Sequence, residues 1–283
     1  MKKKKIILST CLGALLVIAC VGIWLGIRNV DKEVGNGNKL GVSWYHENGD
    51  EFVITTAEQL LEMAKLSKYY DFKGQTIKLG ADIVINEGSA EDWEKITPEI
   101  HWSPIYGFAG TFDGQGHTIS GLYSMACELA VLQSVYENAP KVETASKYTG
   151  YSYLPIGLFA YTQEDCVIKN LNLTNSIFFN DVDTGCGSVV ANGAGTLDTV
   201  YSDATIINYR RCAGGLVGLV ERGAFTLRNC WYDGEIRNIG NDGRWSGGLI
   251  GRIVSTSGET SIEHCLNTAD ISMFSSKTQR SAA

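Results

Sequence analysis

Histidine and proline are scarce in this chain of 283 residues, with four of each. The histidines are His46, His101, His117 and His264, and no two of them stand four residues apart. A zinc-metallopeptidase helix needs two histidines one turn apart beside a glutamate base, so these residues exclude that chemistry. His46-Glu47 is followed by Asn-Gly-Asp, with no second histidine. The chain also lacks a Gly-x-Ser-x-Gly elbow, a phosphate-binding loop and a Cys-x-x-Cys pair. With so few prolines, 32 glycines, and Ile, Val, Thr and Tyr in short runs, the composition favours many short strands joined by glycine turns over a helical bundle.

Charge is missing altogether from Ile6 to Ile27, a 22-residue apolar run between Lys2–Lys5 and Arg28. A basic cluster before an apolar core is an export signal. The run also has the roughly 20 residues needed to cross a bilayer, and the lysines predict a cytoplasmic N-terminus with an external remainder. A second reading is local: Leu16-Val17-Ile18-Ala19-Cys20 looks like a lipoprotein cleavage box with Cys20 as the lipidated residue. Val21 to Ile27 stay apolar where a lipoprotein turns polar, so an uncleaved anchor is the preferred reading. Residues 29–42 are polar and glycine-bearing, and read as a tether.

Without the four lysines and one arginine of residues 1–28, 19 basic residues face 31 acidic ones, a charge of about −12. An acidic external part argues against nucleic acid and anionic lipid as partners. Of eight cysteines, Cys11 and Cys20 lie in the apolar run. Cys230 and Cys265 stand where other repeat copies carry Leu171 and Val200, and read as small buried hydrophobes. Cys186 and Cys212 precede consecutive apolar blocks and are the better candidates for a bridge.

The strongest signal is a repeat. The anchors Ile168, Leu197, Leu227 and Ile262 are each followed nine residues later by Ile177, Ile206, Ile236 and Ile271. Upstream stand Gly157-Leu158-Phe159-Ala160, Ser188-Val189-Val190-Ala191, Gly215-Leu216-Val217-Gly218 and Gly248-Leu249-Ile250-Gly251. A fixed offset inside steps of 29, 30 and 35 residues means stacked strands with adjustable loops, the mark of a solenoid. The position after the anchor reads Lys169, Asp198, Arg228, Glu263, an alternation that parallel stacking favours. The next position, Asn170, Thr199, Asn229 and His264, reads as a turn ladder. The small residues at 160, 191, 218 and 251 predict close backbone packing at a corner. Phe108 to Leu122 reads as a fifth copy anchored at Ile119, broken at Glu128, with a lateral insertion at 123–154 that starts as a helix over Ala126 to Tyr136. Ahead of the array, Phe52 to Ile85 predicts a strand–helix–strand cap, in which Thr56 and Gln59 form a capping box.

Three segments carry a resemblance to a known family: Phe-Ala-Gly-Thr-Phe-Asp-Gly-Gln-Gly-His-Thr-Ile-Ser-Gly-Leu at 108–122, Trp102-Ser-Pro104-Ile105, and the Gly-Gly-Leu-Val-Gly and Gly-Gly-Leu-Ile-Gly blocks at 214–218 and 247–251. They are similar to the GLUG-repeat surface proteins of bacteria, which include adhesin-like proteins and the non-catalytic N-terminal regions of IgA-protease-type metallopeptidases. The resemblance covers about residues 43–274 and implies a right-handed parallel β-helix. The expected layout is an all-β chain: signal or transmembrane segment 1–28, tether 29–42, cap and first strands 43–103, GLUG-type β-helix 104–274, and a tail at 275–283 that leaves room for a truncated product.

Candidate chemistry is limited. Asp113-Gly114 and Gly116 signal turns, which gives Asp113 and His117 a structural reading. Asp203 and Asp233 both lie six residues after an anchor, so stacking places their carboxylates on adjacent rungs. Retaining glycosidases use carboxylates about 5–5.5 Å apart, and calcium is a second use for such a pair; two turn aspartates are the plainer reading. The candidate binding residues are Trp231, which alternation points outward, Trp245, in a loop extension, and Tyr148, Tyr151 and Tyr153. Their ligand would be a sugar ring or a protein partner. The expected function is a membrane-tethered, adhesin-like binding or spacer module at a bacterial surface, without catalysis or cofactor. The alternatives are a polysaccharide-active enzyme, or the non-catalytic leading part of a surface metallopeptidase.

Overall fold

The computed structural model describes residues 38–126, 155–181, 184–209, 212–239 and 245–273. Cys20, the apolar run 6–27, the helix expected from Ala126 onward, Tyr148, Tyr151, Tyr153 and the tail 275–283 lie outside the described residues, except that Ala126 itself closes a strand. Among the described residues no helix is long and apolar enough to cross a membrane. Residues 38–48 form a unit of their own. There the Asn38 amide donates to the Val42 and Tyr45 carbonyls at 2.9 and 2.7 Å, while its oxygen accepts the Leu40 and Val42 N–H groups.

From residue 49 onward the chain is a parallel β-solenoid of about five turns; among the described residues 45% are strand and one α-helix is present. Each full rung visits four faces. The longest face stacks Glu51–Ile54, Thr76–Leu79, Thr111–Asp113, Val167–Thr174, Gly195–Ser202, Phe225–Arg228 and Ser261–Glu263. The next holds Tyr123–Ala126, Ile177–Asn180, Thr205–Asn208, Glu235–Asn238 and Asp270–Met273. A short face follows with Gly185–Gly187, Cys212–Gly214 and Trp245–Gly247, and the rung closes on Phe159–Thr162, Val190–Gly193, Val217–Val220 and Ile250–Ile253. Every strand pair is parallel, so each column holds one residue position repeated about 4.8 Å apart.

The anchor column runs Ile168, Leu197, Leu227, Ile262, as the repeat predicts. It extends further upstream through Phe112, Ile77 and Phe52. The expected fifth copy is therefore correct in existence and wrong in register. Phe112 is its anchor, while Ile119 pairs with Leu173 on the second half of the long face. The copy continues onto the next face, where Tyr123 pairs with Ile177; Glu128 lies outside the described residues. That column needs one adjustment too: Ile206 pairs with Phe178, not Ile177. An extra residue, Asn175 at φ 44°, is absorbed in that rung. Its N–H donates to Asp203 Oδ1 at 2.8 Å, and its amide donates to Gly88 O.

The strands expected to form a cap are rungs of the same long sheet. Between them α1 (Ala57–Leu66) makes the crossover and buries Leu60, Met63, Ala64 and Leu66. Thr56 Oγ1 accepts the Gln59 N–H, and Gln59 Oε1 accepts the Thr55 N–H at 2.8 Å, which completes the box one residue before the cap. The core is aromatic here: Phe72, Phe108, Phe159 and Phe112 follow one another at 5.7, 5.1 and 5.5 Å between centroids, all fully buried. Burying each such ring stabilises by roughly 1.5–3 kcal/mol.

The turn ladder is a backbone feature. Asn170, Thr199, Asn229 and His264 all adopt left-handed φ, from 50° to 59°, and bend the long face at its middle. Asn and His are enriched there because short polar side chains tolerate that geometry. At the other corner, a Cβ on Gly218 would sit 2.5 Å from the Cys186 nitrogen, and one on Gly251 would sit 2.6 Å from the Ala213 backbone. The short face lies directly against this column, which accounts for the small residue in every block. Register also separates the expected bridge pair. Cys212 pairs with Gly185 and Cys186 with Ala213, so alternation sends the two thiols to opposite sides. Cys230 is 2% exposed in the column of Leu171 and Val200, and burial pushes its thiol up to about 12.

Candidate functional site

Outward positions beyond the left-handed corner carry the residues singled out in the sequence. Tyr201 pairs with Trp231, and Trp231 with Leu266. Trp231 is 40% exposed, as alternation from the inward Cys230 predicts. The Tyr201 and Trp231 rings lie 5.0 Å apart at 59° and form an aromatic platform across two rungs. Two residues on, Asp203 and Asp233 continue the same two rungs. The Asp203 N–H donates to Leu173 O and the Asp233 N–H to Ser202 O, one rung back in each case. Stacking thus brings the two carboxylates together, beside the aromatic pair.

Each carboxylate has a partner. Asp203 Oδ1 accepts the Asn175 N–H at 2.8 Å. Asp233 Oδ1 accepts the Thr268 hydroxyl, which in turn accepts the Trp231 indole N–H at 2.8 Å. The relay Trp231 to Thr268 to Asp233 fixes the indole edge, while the residue stays 40% exposed. Burial pushes the Asp203 carboxyl above the usual carboxylate range; the neighbouring Asp233 charge adds to this, and the Asn175 N–H opposes it. Burial and the same two carboxylates also raise the Tyr201 phenol. The arrangement offers a ring-stacking surface with acceptors at its rim, the chemistry of a sugar or a cationic group. For calcium it supplies two carboxylates. Among the described residues no group of three or more His, Cys, Asp or Glu converges as a metal site.

Trp245 does not belong to this platform. In place of a loop extension, it opens the strand Trp245–Gly247 and pairs with Cys212. Its ring lies under the Arg252 guanidinium, 3.7 Å from carbon to centroid, a cation–π contact that occupies one face. Asp113 and His117 hold structural places. Asp113 is buried in the outward charge column, where it accepts from Asn170 at 3.0 Å and the Gln115 N–H at 3.0 Å and pairs with Lys169 at 3.4 Å. Burial works against ionisation there, but these bonds and the Lys169 charge hold its carboxyl below the ordinary value. His117 Nδ1 lies 3.1 Å from Asp82 Oδ1.

Sequence reasoning misses Tyr201, Thr268 and Asn175. Tyr201 stands 30 residues before Trp231, and Thr268 stands 35 after Asp233, so the repeat steps alone point to both. Comparison with family models, with curated proteins and with solved structures finds no match.

Proposed function

We propose that this chain is a membrane-tethered, outward-facing surface solenoid that binds a glycan or protein ligand on the Tyr201–Trp231 platform, or holds such a platform away from the cell. The observation that carries the reading is that pair of tilted rings, 5.0 Å apart beside two carboxylates, with Trp231 40% exposed. The apolar run 6–27 behind four lysines supports the tether. The segment at 108–122 and the Gly-Gly-Leu-x-Gly blocks support a GLUG-type, right-handed, adhesin-like relationship. Protease treatment of intact cells tests the topology. Removal of the solenoid while a short N-terminal piece stays with the membrane fraction agrees with it; complete protection behind an intact membrane contradicts it.

The second reading, a polysaccharide-cleaving enzyme, draws on one specific observation. Asp203 is held toward its protonated form next to a second carboxylate, and two carboxyl groups in unlike environments are the arrangement for general acid catalysis. Against it, Asp203 Oδ1 is committed to the Asn175 N–H and Asp233 Oδ1 to Thr268. Binding is the better-supported function.

A further inference from the structure

From Phe159 onward, the rungs of the solenoid differ in the length of the turn that leads into the long face. Between residues that share columns, Phe159 to Ile168 takes nine steps, Val190 to Leu197 seven, Val217 to Leu227 ten and Ile250 to Ile262 twelve. The short rung crosses on Gly193-Ala194-Gly195 alone. Gly193 is obligatory there: its φ is 148°, and a Cβ would fall 2.4 Å from Thr162 O. The flanking turns at 163–166 and 221–224 project past it, so a notch opens between them. Its volume is about 570 Å³, within the range of small-molecule sites, roughly 300–1,000 Å³.

The lining is mixed in a particular way. Asn192 floors the notch and donates to Glu221 Oε2 at 3.2 Å. Tyr161 supplies an aromatic wall, braced edge-on by Tyr106 at 5.3 Å. The Lys73–Asp165 ion pair at 2.8 Å closes one rim with its charge cancelled. Glu164 and Arg222 face the notch from opposite turns, and neither has a hydrogen bond or ion pair among the described residues. An uncommitted donor, an uncommitted acceptor and a ring wall, with charge close to balanced, match a ligand that both donates and accepts and carries no net charge.

We infer that this notch is a binding site for a short neutral oligosaccharide, about one or two sugar rings deep, held between Arg222 and Glu164 with one ring against Tyr161. A polyanion would meet Glu164, Asp165 and Glu221, and a polycation would meet Arg222 and Lys73. The site stands on the notch alone and does not depend on the Tyr201–Trp231 platform.

The test uses the full chain and three probes: maltotriose, cellotriose and N-acetylated chitotriose, by saturation-transfer NMR and calorimetry. At least one probe binds saturably, and Arg222→Ala and Glu164→Ala each weaken it about tenfold or more, the loss of a hydrogen bond to a charged group. Inserting two residues between Ala194 and Gly195 fills the notch and abolishes binding; where that variant fails to fold by circular dichroism, the two alanine variants decide. Absence of binding by all three probes at millimolar concentration overturns the inference. So does binding that neither alanine substitution changes.

Discussion

Inside the solenoid, the side-chain amide of Asn208 donates to Asn238 Oδ1 at 3.0 Å. Asn180 does the same to Asn208 from the rung before, at 2.8 Å. Three fully buried asparagines therefore form one ladder along the solenoid. Removing the middle rung takes away the acceptor of the Asn180 amide, while Asn238 Oδ1 keeps the Ser246 hydroxyl at 2.8 Å. We expect Asn208→Ala to destabilise by about 1–3 kcal/mol, measured as a drop in the urea midpoint. Asn238→Ala should cost less on its donor side, because that amide reaches Ser272 O only at 3.4 Å.

The left-handed corner makes a different prediction. Thr199 is β-branched and sits at φ 59° in a column otherwise filled by Asn and His. The left-handed region costs most residues about 1–2 kcal/mol and asparagine less. Thr199→Asn should raise stability by up to about 1 kcal/mol, and Asn229→Val should lower it by about 1–2 kcal/mol. Thermal melts of the two variants, moving in opposite directions, check this.

Outward charges alternate along the long face without a break. Lys78, Asp113, Lys169, Asp198, Arg228 and Glu263 pair in that order. Arg228 reaches Asp198 at 2.9 Å and Lys169 reaches Asp113 at 3.4 Å. Arg228 and Asp198 are partly solvated, so their pair contributes roughly 0–1 kcal/mol. Asp198→Lys places three cations in succession. We expect a loss of about 1 kcal/mol at low salt that shrinks markedly near 1 M salt, read from denaturant curves at both ionic strengths.

Asp203 links the site to pH. Its carboxyl is raised above the ordinary value, mainly by burial, so the folded state binds its proton more tightly than the unfolded chain does. That contribution to stability is complete below the unfolded carboxylate range and is lost as pH rises through the raised folded value. Once ionised, the half-buried group is a cost. Asp203→Asn, whose side-chain oxygen still accepts the Asn175 N–H, should therefore be neutral or stabilising at pH 7. Its advantage should vanish in acid, below the usual carboxylate range. Stability measured against pH for both proteins gives the answer.

Much of this architecture is legible in the amino-acid sequence, and the parts that are not have physical causes. Ile168, Leu197, Leu227 and Ile262 stand out because their rungs repeat the same residue classes at one offset. Phe112 is hidden behind Ile119 because an aromatic anchor breaks the aliphatic pattern. The charge column corrects this, since Asp113 supplies the acid that Lys78 and Lys169 require. Alternation alone places Trp231 correctly, and the repeat step of 30 leads from it back to Tyr201. Trp245 reads as a loop residue because Asn241-Asp242-Gly243 precedes it, and only the pairing with Cys212 reveals a strand. Tertiary cover leaves no local trace. The outward Tyr123, Ile177, Phe179 and Ile207 are buried by Trp93, from a loop pinned when Arg237 grips Glu94 at 2.7 and 2.8 Å, 143 residues away in sequence. The notch arises from a turn two residues shorter than its predecessor, and a solenoid pattern that leaves loop lengths free gives no sign of it.

Binding without cleavage is tested most directly by incubating the full chain with a panel of acidic and neutral glycans and following retained ligand and newly formed chain ends in the same samples. Saturable retention without new ends is expected, weakened about tenfold by Trp231→Ala through loss of ring stacking. New ends that accumulate with the wild-type chain and disappear in Asp233→Asn would contradict it, and would make Asp203 and Asp233 a catalytic pair.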